Sequence, residues 1–177
     1  MELYVESIDV RSMVQDIVTT VQPLVDRNDN LLRIDIGEYV STMRSDVTKL
    51  RQAVLNLLSN AAKFTKRGVL ILRVEHNPEI DAGHIRFVVS DTGIGMSDEQ
   101  LRLVFQPFAQ GDGSIVSQYG GTGLGLAISR HYINMMGGEI SVKSILNQGA
   151  TFTITLPLKS GQDVEVRHAD LAQRNVA

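Results

Sequence analysis

A chain of 177 residues, of which 43% are hydrophobic, is long enough to bury one core, so we expect one domain. The 17 Lys and Arg residues against 20 Asp and Glu give a formal net charge of −3, which argues against nucleic acid or an anionic membrane as a partner. The absence of cysteine excludes disulfides and thiol-ligated zinc and favours a reducing compartment, so we expect a cytoplasmic location. No apolar run approaches the roughly 20 residues that a membrane-spanning helix needs.

The first half of the chain predicts a helix, a strand and a second helix. Apolar residues recur at helical spacing in residues 8–25, and residues 31–37 (LLRIDIG) have the composition of a strand. Residues 47–64 (VTKLRQAVLNLLSNAAKF) carry an apolar stripe with helical period, and Ser45 and Asp46 precede it as capping residues. We therefore expect two amphipathic helices on a common core.

The second half predicts paired strands, a glycine-rich segment, a helix and a closing hairpin. Residues 69–76 and 84–91 alternate like paired strands, and SDEQLRLVF predicts a short helix capped at Ser97. No periodicity holds over residues 105–121, which is typical of a functional lid or a disordered segment. The helix TGLGLAISRHYINMM follows, and the strands GEISVKS and ATFTITLPL close the fold around a turn at residues 147–149.

This order of elements predicts the α/β class. We expect a two-layer α/β sandwich with one mixed, mostly antiparallel sheet and helices on one face. The pattern fades after residue 158, so we expect one domain at residues 1–158 and a polar tail or linker at 159–177.

Polar residues interrupt the second predicted helix in a regular way. Asn56, Asn60 and Lys63 are spaced four and three apart, so they share one face. Asparagine is a weak helix former, and two in mid-helix favour a functional reason. Carbonyl oxygens that ligate magnesium, with Lys63 near phosphate, would be one; an ordinary polar face is the alternative.

The stretch VVSDTGIGM, residues 88–96, ends an apolar strand at an aspartate followed by two glycines. One interpretation is that Asp91 accepts a hydrogen bond from an amino group such as that of adenine, while Gly93 and Gly95 let a flat ring approach the backbone. The other is a simple turn, because Asp-Thr-Gly is common in turns.

The stretch QYGGTGLGLAIS, residues 118–129, places four glycines just before and inside a predicted helix. No Lys-Ser or Lys-Thr follows, which excludes a P-loop, and the spacing does not match a dinucleotide fingerprint. Free amides at a helix N-terminus attract phosphate, and a hinge for the preceding segment is the alternative.

The order of these motifs resembles a known family. LRQAVLNLLSNAAKFT, SDTGIGM, FQPFAQ, GGTGLGLAIS and GATFTITLPL are similar to the N-box, first glycine box, F-box, second glycine box and final hairpin of the catalytic, ATP-binding domain of sensor histidine kinases. The resemblance covers about residues 1–158 and implies the Bergerat ATP-binding fold of that wider ATPase superfamily.

The resemblance implies a Mg-ATP site. Asn60, with Asn56, would hold the Mg²⁺, Lys63 would meet the phosphates, and these three would form the catalytic set. Asp91 would bind the adenine amino group, with Thr151 near the adenine. The full implied ATP-binding set is Asn56, Asn60, Lys63, Phe64, Asp91, Gly93, Ile94, Gly95, Met96, Gly121, Thr122, Gly123, Leu124, Gly125 and Thr151, with Phe105 and Phe108 as lid anchors.

The residue at position 56 separates branches of the superfamily. Heat-shock chaperones, DNA gyrase and mismatch-repair proteins carry a glutamate one helical turn before the metal-binding Asn, as the general base that activates water. Asn56 cannot take a proton at neutral pH, which favours transfer to a histidine. A non-catalytic nucleotide-binding regulatory module of the same fold is the alternative.

Two features of the family pattern are absent from the sequence. No H-E-x-R-x-P segment is present, so we expect the phosphoacceptor histidine on another domain of the parent kinase, a response regulator downstream, and a monomeric fragment. Ser117 stands where related lids commonly carry a basic residue, so we expect weaker lid closure or slower transfer.

Overall fold

The computed structural model describes residues 2–107 and 123–159. The helices of this part of the chain are α1 (Val10–Arg27), α2 (Val47–Phe64), α3 (Asp98–Leu103) and α4 (Gly125–Met135). Its strands are β1 (Glu6–Asp9), β2 (Leu31–Ile36), β3 (Thr42–Ser45), β4 (Val69–Asn77), β5 (Asp81–Asp91), β6 (Glu139–Ile145) and β7 (Gly149–Pro157).

Five strands form one mixed sheet in the order β2-β4-β5-β7-β6. The β2–β4 pair is parallel and the other three pairs are antiparallel. Alternate side chains of the central strands are buried, as Leu72, Phe87 and Ile154 show, and α1, α2 and α4 pack on this face. The predicted two-layer α/β sandwich with helices on one face is confirmed.

The two long helices begin at aspartate caps. Asp9 Oδ1 accepts a hydrogen bond of 2.8 Å from the Ser12 amide, and Asp46 Oδ1 accepts one of 3.0 Å from the Lys49 amide. In α2 the buried residues recur at helical spacing: Leu50, Ala53, Val54, Leu57, Leu58, Ala61 and Ala62. The predicted bounds of α2 are confirmed, and Asp46 is its cap.

A small second sheet was not predicted from the sequence. The strands β1 and β3 pair antiparallel, and Ile8, just before the predicted first helix, lies in β1. Four-residue strands give too few alternations for the period to be recognised. The last helix begins at Gly125, three residues after its predicted start at Thr122. Thr122 and residues 160–177 of the predicted tail lie outside the described residues.

In the described part of the chain, none of the helices has the length and apolar character needed to cross a bilayer.

Candidate functional site

The central carboxylate of the site ends β5. Asp91 is partly buried, and its Oδ1 accepts a hydrogen bond of 2.8 Å from the Gly93 amide. Burial raises the pKa of Asp91 above its ordinary value, although hydrogen bonds from the amides of Gly93 and Ala150 and from the nearby Thr65 hydroxyl oppose this rise. Among the described residues, the buried Thr65 hydroxyl has no hydrogen-bond partner of regular geometry, so its lowering of the Asp91 pKa is the smallest of the three. The Gly93 amide therefore makes the principal hydrogen bond that fixes the carboxylate.

The glycine turn after Asp91 packs directly on the end of α2. A Cβ at Gly93 would lie 2.3 Å from the Phe64 carbonyl oxygen, which accepts a hydrogen bond of 3.2 Å from the Ile94 amide. Gly95 has φ +62°, and a Cβ there would lie 2.1 Å from the Ile145 carbonyl oxygen. Both glycines are therefore required by close backbone approach.

The same turn is fastened to the β6–β7 hairpin. The Asn147 amide donates to the Ile94 carbonyl at 2.7 Å, and the Met96 amide donates to Ser144 Oγ at 2.9 Å. The Ser144 hydroxyl in turn donates to the Gly149 carbonyl at 2.8 Å. The first glycine motif and the final hairpin, far apart in sequence, thus form one rigid unit beside Asp91.

The polar face of α2 contributes three predicted residues in different states. The Asn56 carboxamide is held by three hydrogen bonds, from Gln52 and to Gly125 and Ser129. Within residues 2–107 and 123–159, the Asn60 carboxamide makes no hydrogen bond and is partly exposed. Lys63, in the last turn, has its ammonium 6.0 Å from the Phe64 ring centroid.

The N-terminus of α4 has no side-chain cap. Leu124 occupies the cap position without a side-chain hydrogen bond, and Gly123 before it has φ +68°. Among the described residues, the cap position therefore offers the first amides of α4 no side-chain acceptor, which suits an anion. Gly121 and Thr122, predicted to border phosphate, lie outside the described residues.

The structure places Thr151 beside Ser90 rather than directly beside Asp91. Thr151 Oγ1 lies 3.0 Å from Ser90 Oγ, its direct partner across the β5–β7 register. Because side chains alternate across a strand, Ser90 and Thr151 lie on the sheet face away from the helices, whereas Asp91 and Ala150 lie on the helix face. Ala150, which the motif did not single out, is the position next to Asp91.

The two predicted lid anchors differ in what can be said of them. Phe105 packs edge-on against Phe152 of β7 with ring centroids 6.2 Å apart, and the Arg130 guanidinium lies 5.6 Å from the Phe105 ring centroid. Phe105 is therefore joined to both the sheet and α4. Phe108 and Ser117 lie outside the described residues.

An open cavity of about 220 Å³ marks this end of the sheet. Its lining residues are Asp91, Lys143, Ser144, Ile145, Gln148, Gly149, Ala150 and Thr151. Asp91 lines the cavity, but Asn60 and Lys63 do not, so the cavity lies along the β6–β7 hairpin rather than along α2. The candidate site is therefore defined by Asp91 and the polar face of α2 and not by the cavity lining.

The protein side chains at the site could bind a cation such as Mg²⁺ only if a bound ligand supplied further oxygen atoms. Among the described residues there is no cluster of three or more His, Asp or Glu side chains that could hold a metal ion. The free Asn60 carbonyl is a ligand that Mg²⁺ accepts, and phosphate oxygens and water would complete its coordination. The residues present fit a magnesium ion that arrives with a phosphate ligand.

The fold and the site together define an ATP-binding domain of the superfamily that contains kinases and ATPases. Residues 45–160 match the family described as histidine kinase-, DNA gyrase B- and HSP90-like ATPase, and the chain belongs to that family. Within it, the sequence and structural relatives identify the chain as the catalytic ATP-binding domain of a sensor histidine kinase.

The curated relatives are much longer proteins. The peroxide stress-activated histidine kinase mak2 of Schizosaccharomyces pombe is 39% identical over 158 residues, which are 86% of this chain and 7% of that protein. The sensor protein GacS of Pseudomonas syringae is 39% identical over 160 residues, 89% of this chain and 18% of that protein. The circadian input-output histidine kinase CikA of Synechococcus elongatus is 43% identical over 128 residues, 72% of this chain and 16% of that protein. This chain therefore spans less than a fifth of each.

Two solved structures share the fold. Full-length ShkA, solved in complex with AMPPNP, superposes with a TM-score of 0.79 at 30% identity, covering 91% of this chain and 32% of that one. The mycobacterial sensor histidine kinase MprB gives a TM-score of 0.73 at 26% identity, covering 89% of this chain and 100% of that one.

Proposed function

We propose that this chain binds Mg-ATP and transfers the γ-phosphoryl group to a histidine on a phosphoacceptor domain of its parent kinase. A response regulator then receives the phosphoryl group from that histidine. The proposal places the domain at residues 1–158, in the cytoplasm. The observation that carries it is the Asp91 carboxylate, which the Gly93 amide fixes on the same sheet face as α2, the helix that carries Asn60.

Binding of the base is explained by Asp91 and the glycine turn. A carboxylate already held by the Gly93 amide retains lone pairs that can accept the adenine amino group. Gly93 and Gly95 let the turn approach the backbone of α2 and of the hairpin closely, which fixes the position of the carboxylate, and Met96 packs against the core next to this turn. Ionised Asp91 would therefore select a base with an amino donor at this position.

Charge on the phosphates would be met from three directions. Lys63 supplies a positive charge from the last turn of α2, Asn60 offers a carbonyl oxygen to Mg²⁺, and the amides from Gly123 onward supply donors at the start of α4. Bound Mg²⁺ would neutralise developing charge on the transferred phosphoryl group.

Transfer to histidine rather than to water follows from residue 56. In the described part of the chain, the residues on the site face of α2 include no carboxylate that could take a proton from water. A neutral imidazole is already a nucleophile, so the incoming histidine needs no such base.

Phosphoryl transfer can be tested with the parent's histidine-bearing domain. We expect that mixing it with this chain and γ-labelled ATP labels that domain, and that the label is lost in acid but stable in base, as a phosphohistidine is. Tight ATP binding without any label on that domain would contradict the proposal and leave a regulatory nucleotide-binding module.

A further inference from the structure

The Asn56 carboxamide is directed at α4. Its Nδ2 donates to the Gly125 carbonyl at 3.1 Å and to Ser129 Oγ at 3.0 Å, and its Oδ1 accepts from Gln52 Nε2 at 2.9 Å. Because a carboxamide nitrogen carries two hydrogens, both donors of Asn56 are committed to α4. Only one lone pair of its oxygen remains for any ligand.

Ser129 completes the connection from the other side. It is fully buried, and its hydroxyl donates to the Gly125 carbonyl at 2.8 Å while it accepts from Asn56. A buried hydroxyl with both roles satisfied costs little to bury, whereas loss of its partner would leave an unpaired polar group in the core. The sequence GLGLAIS gave no sign that this serine is bound to the second helix.

We infer that Asn56 and Ser129 are positioning residues that tether the first turn of α4 to α2, and that Asn56 acts on the nucleotide through this tether rather than as a Mg²⁺ ligand. The tether fixes Gly125, whose preceding residues Gly123 and Leu124 bring the amides proposed to face phosphate. The Asn60 carboxamide, one turn further along α2, makes no hydrogen bond to other described residues and is left as the amide ligand for the metal. This inference rests on the proposed function.

The tether predicts a different dependence on magnesium from that of a metal ligand. We expect Asn56→Ala and Ser129→Ala each to weaken ATP binding about five- to tenfold, because each removes the Asn56–Ser129 hydrogen bond, both in EDTA and in excess Mg²⁺. Mg²⁺ would raise the ATP affinity of each variant by the same factor as that of the wild-type chain. The ATP affinity of the double variant would be only slightly lower than that of the single variant that binds ATP more weakly. Ser129→Thr, which keeps the hydroxyl, would restore most of the affinity.

The matched control is Thr20→Ala. Thr20 on α1 also donates its hydroxyl to the carbonyl four residues before it, at 2.9 Å, but it is exposed. We expect this variant to bind ATP as the wild-type chain does. Loss of affinity only when Mg²⁺ is present in Asn56→Ala, with no effect of Ser129→Ala, would overturn the inference and make Asn56 a metal ligand.

Hydrogen exchange tests the tether without any nucleotide. The Ile128 amide donates to the Leu124 carbonyl at 2.9 Å in the first turn of α4. We expect its exchange to be several-fold faster in Asn56→Ala and in Ser129→Ala than in the wild-type chain or Thr20→Ala. An unchanged exchange rate in both variants would overturn the tether, whereas a wild-type chain that exchanges as expected but binds no ATP would contradict the proposed function.

Discussion

Asp91 combines two opposing demands at the scale of a single residue. In its proposed role it would accept an amino group most strongly when ionised, yet burial raises its pKa and disfavours the charged form. The sequence motif predicted a fixed carboxylate beside Gly93, which the structure has. It could not predict Ala150, because an amide 59 residues away meets Asp91 only through the β5–β7 register.

The raised pKa of Asp91 predicts a pH dependence of stability. The folded chain binds a proton at Asp91 more readily than the unfolded chain, so the favourable contribution of protonated Asp91 is full below pH 3.8 and is lost as pH rises through the folded pKa. We expect Asp91→Asn, which stays neutral, to gain stability relative to the wild-type chain over that range and to keep the gain above it. Urea unfolding at a series of pH values would measure the difference, and the opposite slope would show that the hydrogen bonds outweigh burial.

The face of the sheet on which Thr151 lies depends on information that the motif does not contain. The motif places a threonine near the adenine, but only the strand register decides which face that threonine occupies. One position of difference separates Thr151 from Ala150, and it moves the side chain to the opposite side of the sheet.

At the scale of elements, α2 was predictable because its cap and its apolar stripe are both local in sequence. Asp46 does more than cap the helix. Its Oδ2 accepts a hydrogen bond of 3.1 Å from the Tyr4 amide and one of 2.7 Å from the Lys49 ammonium. Burial would raise the pKa of Asp46, but these hydrogen bonds and the Lys49 charge together lower it. The carboxylate thus joins the N-terminal segment to the helix that carries the site.

Removal of the Asp46 carboxylate should destabilise the fold. We expect Asp46→Ala to lower the free energy of unfolding by about 2 kcal/mol, since the cap and a buried hydrogen bond are lost together. Because the folded pKa is lowered, this contribution is present above pH 3.8 and disappears as pH falls through the folded pKa. The control is Asp16→Ala, which breaks an exposed ion pair with Arg51 and should cost less than about 1 kcal/mol. Equal losses in the two variants at neutral pH would contradict this role.

The conformation of the β6–β7 hairpin depends on Gly149, for which the sequence predicted only a place in a turn. Gly149 has φ +93°, and a Cβ there would lie 1.9 Å from the Asp91 carbonyl oxygen. We expect Gly149→Ala to lower the free energy of unfolding by about 2 kcal/mol or more and to weaken ATP binding, because Asp91 must shift. Gly83, where a Cβ would meet only Asp81 Oδ1 at 3.9 Å, is the matched control, and Gly83→Ala should change stability by less than about 1 kcal/mol. Thermal and urea unfolding would compare the two, and a stable Gly149→Ala variant with unaltered ATP affinity would refute the requirement.

For the whole molecule, the class and layer order followed from the alternation of helical and strand periods along the chain. The parallel β2–β4 pairing and the small β1–β3 sheet did not, because pairing depends on which strands the packed helices bring together. The tether between α2 and α4 was equally hidden, since Asn56 and Ser129 are 73 residues apart. The contacts that hold the predicted site residues in place could therefore not be predicted from the sequence.

The chain as a whole should bind ATP without consuming it. Because Asn56 replaces the general base of the water-activating relatives, we expect no ATP hydrolysis above the uncatalysed background when this chain is incubated alone with Mg-ATP. A phosphate-release assay measures this, and hydrolysis that Asp91→Asn abolishes would assign the chain to the water-activating branch instead.

ATP binding through Asp91 is measured most directly by titration calorimetry of three proteins: the wild-type chain, Asp91→Asn and Thr151→Val. We expect Asp91→Asn to bind Mg-ATP at least about tenfold more weakly, since the amino group of adenine loses a charged acceptor. Thr151→Val, on the other face of the sheet, should bind within about twofold of the wild-type chain. Unchanged affinity in Asp91→Asn would contradict the assignment of the adenine site.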